Sequence, residues 1–229
     1  MKPPTLAIVA ALPREIAGLV RGVSADRELL RRGIHLYRLP GAVVVTAGMG
    51  AERVTLAVEA ALRSAPVTTL LSVGLAGGCS PSLASGAVEE GALVIDARTG
   101  ERFVSSPATS GPTLATVDAV AGVQEKARLA ATYGASLVDM EAAIVGRLAA
   151  ANGLRFRAIK AVSDAHDFEL ASLARFSGKR GEFRTAAFAL HLALRPQHWS
   201  KAVQLGRDSH RALSALTARL QQLMREEAS

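Results

Sequence analysis

Short apolar runs alternate with helical periodicities along most of this chain. Residues 6–10, 42–46, 69–73, 93–95, 113–117, 137–140 and 157–162 read as strands. Several are apolar at successive positions, as in strands covered on both faces. Between them, residues 13–21, 51–63, 124–133 and 141–152 carry helical spacing. Pro13 suits a first helical turn, where no backbone N–H is needed. Asn152 and Gly153 suit a helix stop. The alternation predicts an α/β fold: a three-layer, doubly wound, mostly parallel mixed sheet flanked by helices.

Two segments interrupt the rhythm. Residues 96–111 are rich in Ser, Thr, Pro, Gly and charge, and read as a loop or weak hairpin able to cover a site. Residues 172–182, with Gly178-Lys179-Arg180-Gly181, read as either a lid or an ordinary surface loop. After Pro196, Trp199, Val203, Leu213, Leu216, Leu220 and Leu223 follow helical spacing, while Lys201, Arg207, Arg211, Arg219 and Arg225 fall largely off that stripe. The expected organisation is therefore an α/β domain over 1–195, with a C-terminal amphipathic basic helix over 196–229 packed on it and broken near Gly206. The same helix has the character of one that meets a membrane surface or an apolar substrate.

Composition narrows the function. The 229 residues suffice for one sizeable core. Hydrophobic residues make up 49% and aromatics only 4%, so the core is built of small aliphatics. The net charge of +7 invites a nucleic-acid partner. Basic residues interleaved with aromatics, as on a stacking platform, are absent, which argues against it. Anionic small molecules or an anionic membrane surface fit the charge better. A single cysteine, Cys79, excludes a disulfide framework and a Cys-ligated metal cluster. The apolar stretch 6–12 is short and has no small-residue cleavage site, so a signal peptide is not expected and the cytoplasm is.

Four motifs carry candidate chemistry, all at carboxyl ends of predicted strands, where open α/β sheets bind ligands. Arg14 and Glu15 follow the first strand; a carboxylate there also suits the helix dipole. Ser72-Val73-Gly74-Leu75-Ala76-Gly77-Gly78 follows the third and reads either as a backbone cradle for a ligand or as a tight turn. Asp139-Met140-Glu141 stands where a strand hands over to a helix. On a continuing strand Asp139 and Glu141 share one side and Met140 faces the other. Ser163-Asp164 ends the last strand; Asp164 is either a proton donor or a helix cap.

In order, these motifs resemble the purine nucleoside phosphorylase superfamily, specifically its nucleosidase-like branch, over residues 6 to about 167. Methylthioadenosine/S-adenosylhomocysteine nucleosidases carry the same sequence of an early acid, a G-x-A-G-G segment, an E-M-E segment and an S-D pair. Hopanoid-associated phosphorylases are still more similar, sharing Gly74-Leu75-Ala76-Gly77-Gly78 followed by Pro81-Ser82-Leu83, the Asp139-Met140-Glu141 segment, and Arg195-Pro196 before a basic helix. The resemblance implies cleavage of the N-glycosidic bond of an adenine nucleoside, without metal or other cofactor. It implies that Asp164 protonates the purine and Glu15 orients an attacking water. Glu141 would hydrogen-bond the ribose hydroxyls, and Met140 would pack on the ribose. Gly48, Met49 and Gly50 would line its ribose or phosphate end, with Leu75, Ala76, Gly77, Val120 and Ser163 completing the pocket. It also implies a homo-oligomer, a dimer foremost.

Departures from the pattern refine this. Ser72 stands where phosphorylases place an arginine for phosphate, which favours water as nucleophile. Arg14 or Arg53 would receive phosphate if phosphorolysis operates. Val120 stands near the position of a stacking aromatic. Such an opened pocket suits a bulky apolar ribose substituent, as in adenosylhopane, a lipid-linked nucleoside. A phosphate-dependent phosphorylase, a methylthioadenosine/S-adenosylhomocysteine nucleosidase and a nucleoside-binding module without turnover are the alternatives.

Overall fold

A computed structural model describes residues 6–105, 110–169 and 199–228. The apolar runs become strands because both of their faces are covered. In β1 (Leu6–Ala10), Leu6, Ile8 and Ala10 join one buried cluster while Ala7 and Val9 join another. On the first side lie Ile16 of α1 (Pro13–Ile16) and Ala212, Leu216, Leu220 and Leu223 of the C-terminal helix. On the other lie α3 (Ala51–Ser64) and α5 (Ala142–Ala151). The result is the three-layer, doubly wound arrangement expected from the alternation.

The described residues form a ten-stranded sheet. Its strands are β1, β2 (His35–Leu39), β3 (Ala42–Thr46), β4 (Thr69–Gly78), β5 (Val88–Glu90), β6 (Leu93–Asp96), β7 (Arg102–Val104), β8 (Thr113–Thr116), β9 (Leu137–Asp139) and β10 (Arg155–Asp164). Parallel pairing joins β1 to β3 and β4, β4 to β10, and β8 to β6 and β9. β4 is the hub. One edge holds β10 along nearly its whole length; the other holds β1 at Thr69–Ser72 and β9, antiparallel, at Gly77 and Gly78. Two further helices, α2 (Arg27–Arg31) and α4 (Val123–Tyr133), complete the body. α4 packs on Ala115 and Val138, across the sheet from Leu114 and Leu137, which face α5.

Several sequence expectations are corrected. The Ser72–Gly78 segment is not a turn: β4 runs through it. β10 likewise extends to both sides of 157–162. The helix expected over 13–21 ends at Ile16, and turns carry the chain past Gly18 and Gly22. Gly18 packs so closely on Thr217 that a Cβ would lie 2.7 Å from its hydroxyl, a contact only the folded C-terminal helix creates. The weakly patterned α2, β2 and β5 had no counterpart in the reading of the sequence. Of residues 96–111, Arg102–Val104 form β7 against β6, and none of the described ones lines the cavity of the candidate site. The expected loop 172–182 lies outside the described residues. α6 (Trp199–Ala228) is one unbroken helix through Gly206. No helix of the described residues is long and apolar enough to cross a membrane.

Candidate active site

Residues at the ends of β1, β4, β8, β9 and β10 surround one cavity of about 460 Å³. Glu15 enters from the first turn of α1. Its Oε2 accepts the Leu12 N–H at 2.8 Å and its Oε1 the Leu75 N–H at 3.0 Å. Two backbone donors thus fix a carboxylate that is only 6% exposed. Gly74 makes this approach possible. Its φ is +137°, and a Cβ there would stand 2.7 Å from Glu15 Oε1.

β9 ends at Asp139, and the chain turns before Glu141, so Met140 and Glu141 both reach the cavity. The shared-side expectation for Asp139 and Glu141 assumed a continuing strand; here the two acids take different tasks. Asp139 is buried and structural. It accepts from Thr116 Oγ1 at 2.7 Å and from the Ala142 N–H at 2.9 Å, and pairs with Lys160 Nζ at 2.8 Å. These bonds anchor the start of α5. Glu141, at the N-cap position, accepts the Gly50 N–H at 3.2 Å. Burial, then the Asp139 carboxylate, and also Glu15, push its carboxyl up to about 8, against the pull of Lys160. Burial works against the Lys160 ammonium, but the surrounding carboxylates, Asp139 first, hold its pKa above the ordinary lysine value.

At the other end, a register shift between Val162 and Asp164 closes β10. Asp164 is 2% exposed. Its Oδ2 accepts from Lys126 Nζ and its Oδ1 from Ser163 Oγ, which also lies 3.2 Å from the Ala76 carbonyl. Burial raises the Asp164 carboxyl above the usual carboxylate range, outweighing the opposing pull of Lys126 and Ser163. Gly77 admits this pair: a Cβ there would meet Asp164 Oδ2 and Lys126 Cε, each at 3.2 Å. The remaining wall is largely apolar, with Ser209 and His210 of α6 as its polar members. Val117, Ala119, Val120 and Ala121 come from the loop after β8, and Leu205, Gly206 and Leu213 from α6.

A family profile described as the phosphorylase superfamily matches residues 93–194. Solved structures agree on the fold. A 5′-methylthioadenosine nucleosidase of Arabidopsis thaliana, in apo form, superposes with a TM-score of 0.72 at 17% identity, covering 99% of this chain and 97% of that one. The 5′-methylthioadenosine/S-adenosylhomocysteine nucleosidase of Neisseria meningitidis, in complex with methylthio-immucillin-A, gives 0.65 at 18% identity over 93% and 95%. Futalosine hydrolase of Helicobacter pylori gives 0.59 at 16% over 72% and 89%. A search of curated protein sequences finds no match.

Within the cavity stand Arg14, Glu15, Met49, Leu75, Ala76, Gly77, Val120, Met140, Glu141, Ser163 and Asp164. Three expected residues stand outside its lining: Gly48, Gly50, which reaches it only through its N–H on Glu141, and Arg53. Gly48 forms the turn behind it, donating to the Ala11 carbonyl at 3.0 Å. Arg53 is committed to backbone: it donates to the Ala47 carbonyl, and to the Gly33 carbonyl at 2.9 Å. Ser72 also lies away from the lining, buried within β4 with its hydroxyl unpartnered. The sequence reading missed Lys126 and Lys160, and it gave the C-terminal helix the character of one that meets an apolar substrate without naming Leu205, Gly206 or Leu213 as cavity wall. Lys126 shares a helical stripe with buried Leu129, and Lys160 interrupts the buried apolar run 158–162 of β10. A cation at either position was the available signal.

Proposed function

We propose that this protein hydrolyses the N-glycosidic bond of an adenine nucleoside. The observation that carries the reading is the convergence of Glu15, Glu141 and Asp164 on one cavity, each in a different electrostatic setting. Departure of a purine leaves positive charge on the ribose, which nearby carboxylates stabilise, and negative charge on the base, which a proton neutralises. Asp164, raised above the usual carboxylate range, protonates the base as the C1′–N9 electron pair leaves with it. Glu15, held by two N–H groups, orients the water whose oxygen bonds C1′ and takes its proton. Glu141 holds the ribose hydroxyls, and Met140 packs on the sugar.

Water is favoured over phosphate by charge. The ribose end carries the Glu15 carboxylate, which would repel a phosphate dianion, and Lys160 is paired with Asp139. Arg14 is the expected phosphate ligand that does line the cavity. The α6 wall and the small side chains of the loop after β8 suit a bulky apolar group at ribose C5, which supports a lipid-linked substrate such as adenosylhopane over methylthioadenosine. A dimer, and contact of α6 with an anionic surface through Arg207, Arg211 and exposed Val203, complete the reading; sedimentation and vesicle flotation check them.

The deciding experiment measures adenine release from methylthioadenosine, S-adenosylhomocysteine, adenosine and an adenosyl-lipid analogue, with and without phosphate. Phosphate-independent release, fastest for the lipid analogue and reduced about 100-fold or more in Asp164→Asn, is expected. Release only with phosphate replaces hydrolysis by phosphorolysis. A preference for methylthioadenosine removes the lipid-linked substrate. Tight binding without turnover makes the chain a binding module.

A further inference from the structure

Lys126 and Asp164 form an ion pair in which each side chain is 1% exposed. Burying such a pair is costly compared with apolar packing, so its location needs a reason. The ammonium has three hydrogens and meets three acceptors: Asp164 Oδ2, the Ala165 carbonyl at 2.8 Å and the Phe168 carbonyl at 3.2 Å. Its donor capacity is full. Two of the acceptors are main-chain atoms of the segment that follows Asp164, so the lysine holds the carboxylate and its backbone together. A second tie joins the same parts: the Val123 N–H, at the start of α4, donates to Glu169 Oε2 at 3.2 Å.

We propose that Lys126 is a positioning residue for Asp164: it fastens Oδ2 and the segment 165–168 to α4, and supplies the positive charge against which the acid holds its proton. The catalytic meaning rests on the reading of Asp164 as the base-releasing acid; the clamp itself does not. The other titratable groups around the pair do not replace that charge. Cys79, next to β4, is pushed up to about 11 by burial and stays neutral. Glu125 on α4 pairs with Arg128. Glu169 is held by Val123, and His166 and Asp167 follow Asp164 in the chain. Glu15, Asp139 and Glu141 line the same cavity, the last two beside Lys160.

The test is a carbon-13 carboxyl NMR titration of the full chain, with the Asp164 signal assigned by its loss in Asp164→Asn. A cation in contact lowers a carboxyl's proton affinity. Lys126→Met is therefore expected to move the Asp164 midpoint up by about one pH unit or more, and Lys126→Arg to restore it toward the wild type. The alkaline limb of base release should move in the same direction, with kcat reduced more than KM is raised. An unmoved midpoint in Lys126→Met overturns the proposal. If that variant does not fold, the nitrogen-15 signal of Lys126 in the wild type decides. A titration step shared with Asp164 supports the pair, and independent steps overturn it. A moved midpoint in a chain that releases no base overturns the proposed function alone. Release abolished in Asp164→Asn with an unmoved midpoint in Lys126→Met overturns this inference alone.

Discussion

At the residue scale, neighbouring carboxylates of one cavity behave differently because their partners differ. Asp139 has two hydrogen-bond donors and Lys160, whereas Glu141 has the Gly50 N–H and a cluster of negative neighbours. Burial first, and then those negative neighbours, raise the Glu141 carboxyl from its ordinary 4.5 to about 8 in the folded state. A carboxyl raised on folding contributes stability that is fully present below its unfolded pKa and lost as pH rises through the folded one. Glu141→Gln cannot ionise. Without ligand, this variant is expected to melt a few °C above the wild type beyond pH 8, an advantage that vanishes near pH 4–5; thermal melts across that range check it. In the sequence each of Glu15, Glu141 and Asp164 follows a strand, and the resemblance to nucleosidases singled them out as a set. Sequence alone could not give the proton affinities of Glu141 and Asp164, which depend on burial and on Lys160 and Lys126 arriving from distant parts of the chain.

At the scale of elements, the strands were legible and their lengths were not. Two-sided apolar runs marked β1, β3, β6, β8 and β9 to within a residue or two. β4 and β10 outran their apolar centres because each is the other's partner along Thr69–Gly77, so pairing carries the strand through glycines and polar residues that propensity alone would end. That extension delivers Gly77 to Asp164. The start of α5 depends in turn on one buried pair. Removing the cation strands a buried carboxylate, so Lys160→Met is expected to destabilise the fold by about 3–5 kcal/mol, read from the midpoint of urea unfolding. β2 and α2 escaped notice because β2 is only half buried and α2 buries nothing, which leaves little apolar periodicity to read.

At the scale of the whole molecule, the last helix is part of the cavity. Ala212, Leu216, Leu220 and Leu223 bury one stripe on β10 and β4, and the turns before them bring Leu205, Gly206, Ser209, His210 and Leu213 to the site. Gly206 was read as a break, yet glycine in a helix costs only about 1 kcal/mol and the flanking turns carry it. A Cβ there would meet nothing within 4 Å. Gly206→Leu should therefore be accommodated by the helix while filling cavity space. KM for nucleosides with a bulky apolar ribose substituent is expected to rise about 10-fold or more, with adenosine little affected, as steady-state kinetics on both substrates would show. The sequence by itself determined the α/β class, the strand ends and the acids placed on them, because these follow from local periodicity and from residue type. Only the tertiary structure decided which charges meet and what closes the cavity, because ion pairs such as Lys126–Asp164 and the wall from α6 join residues whose separation along the chain carries no periodic signal.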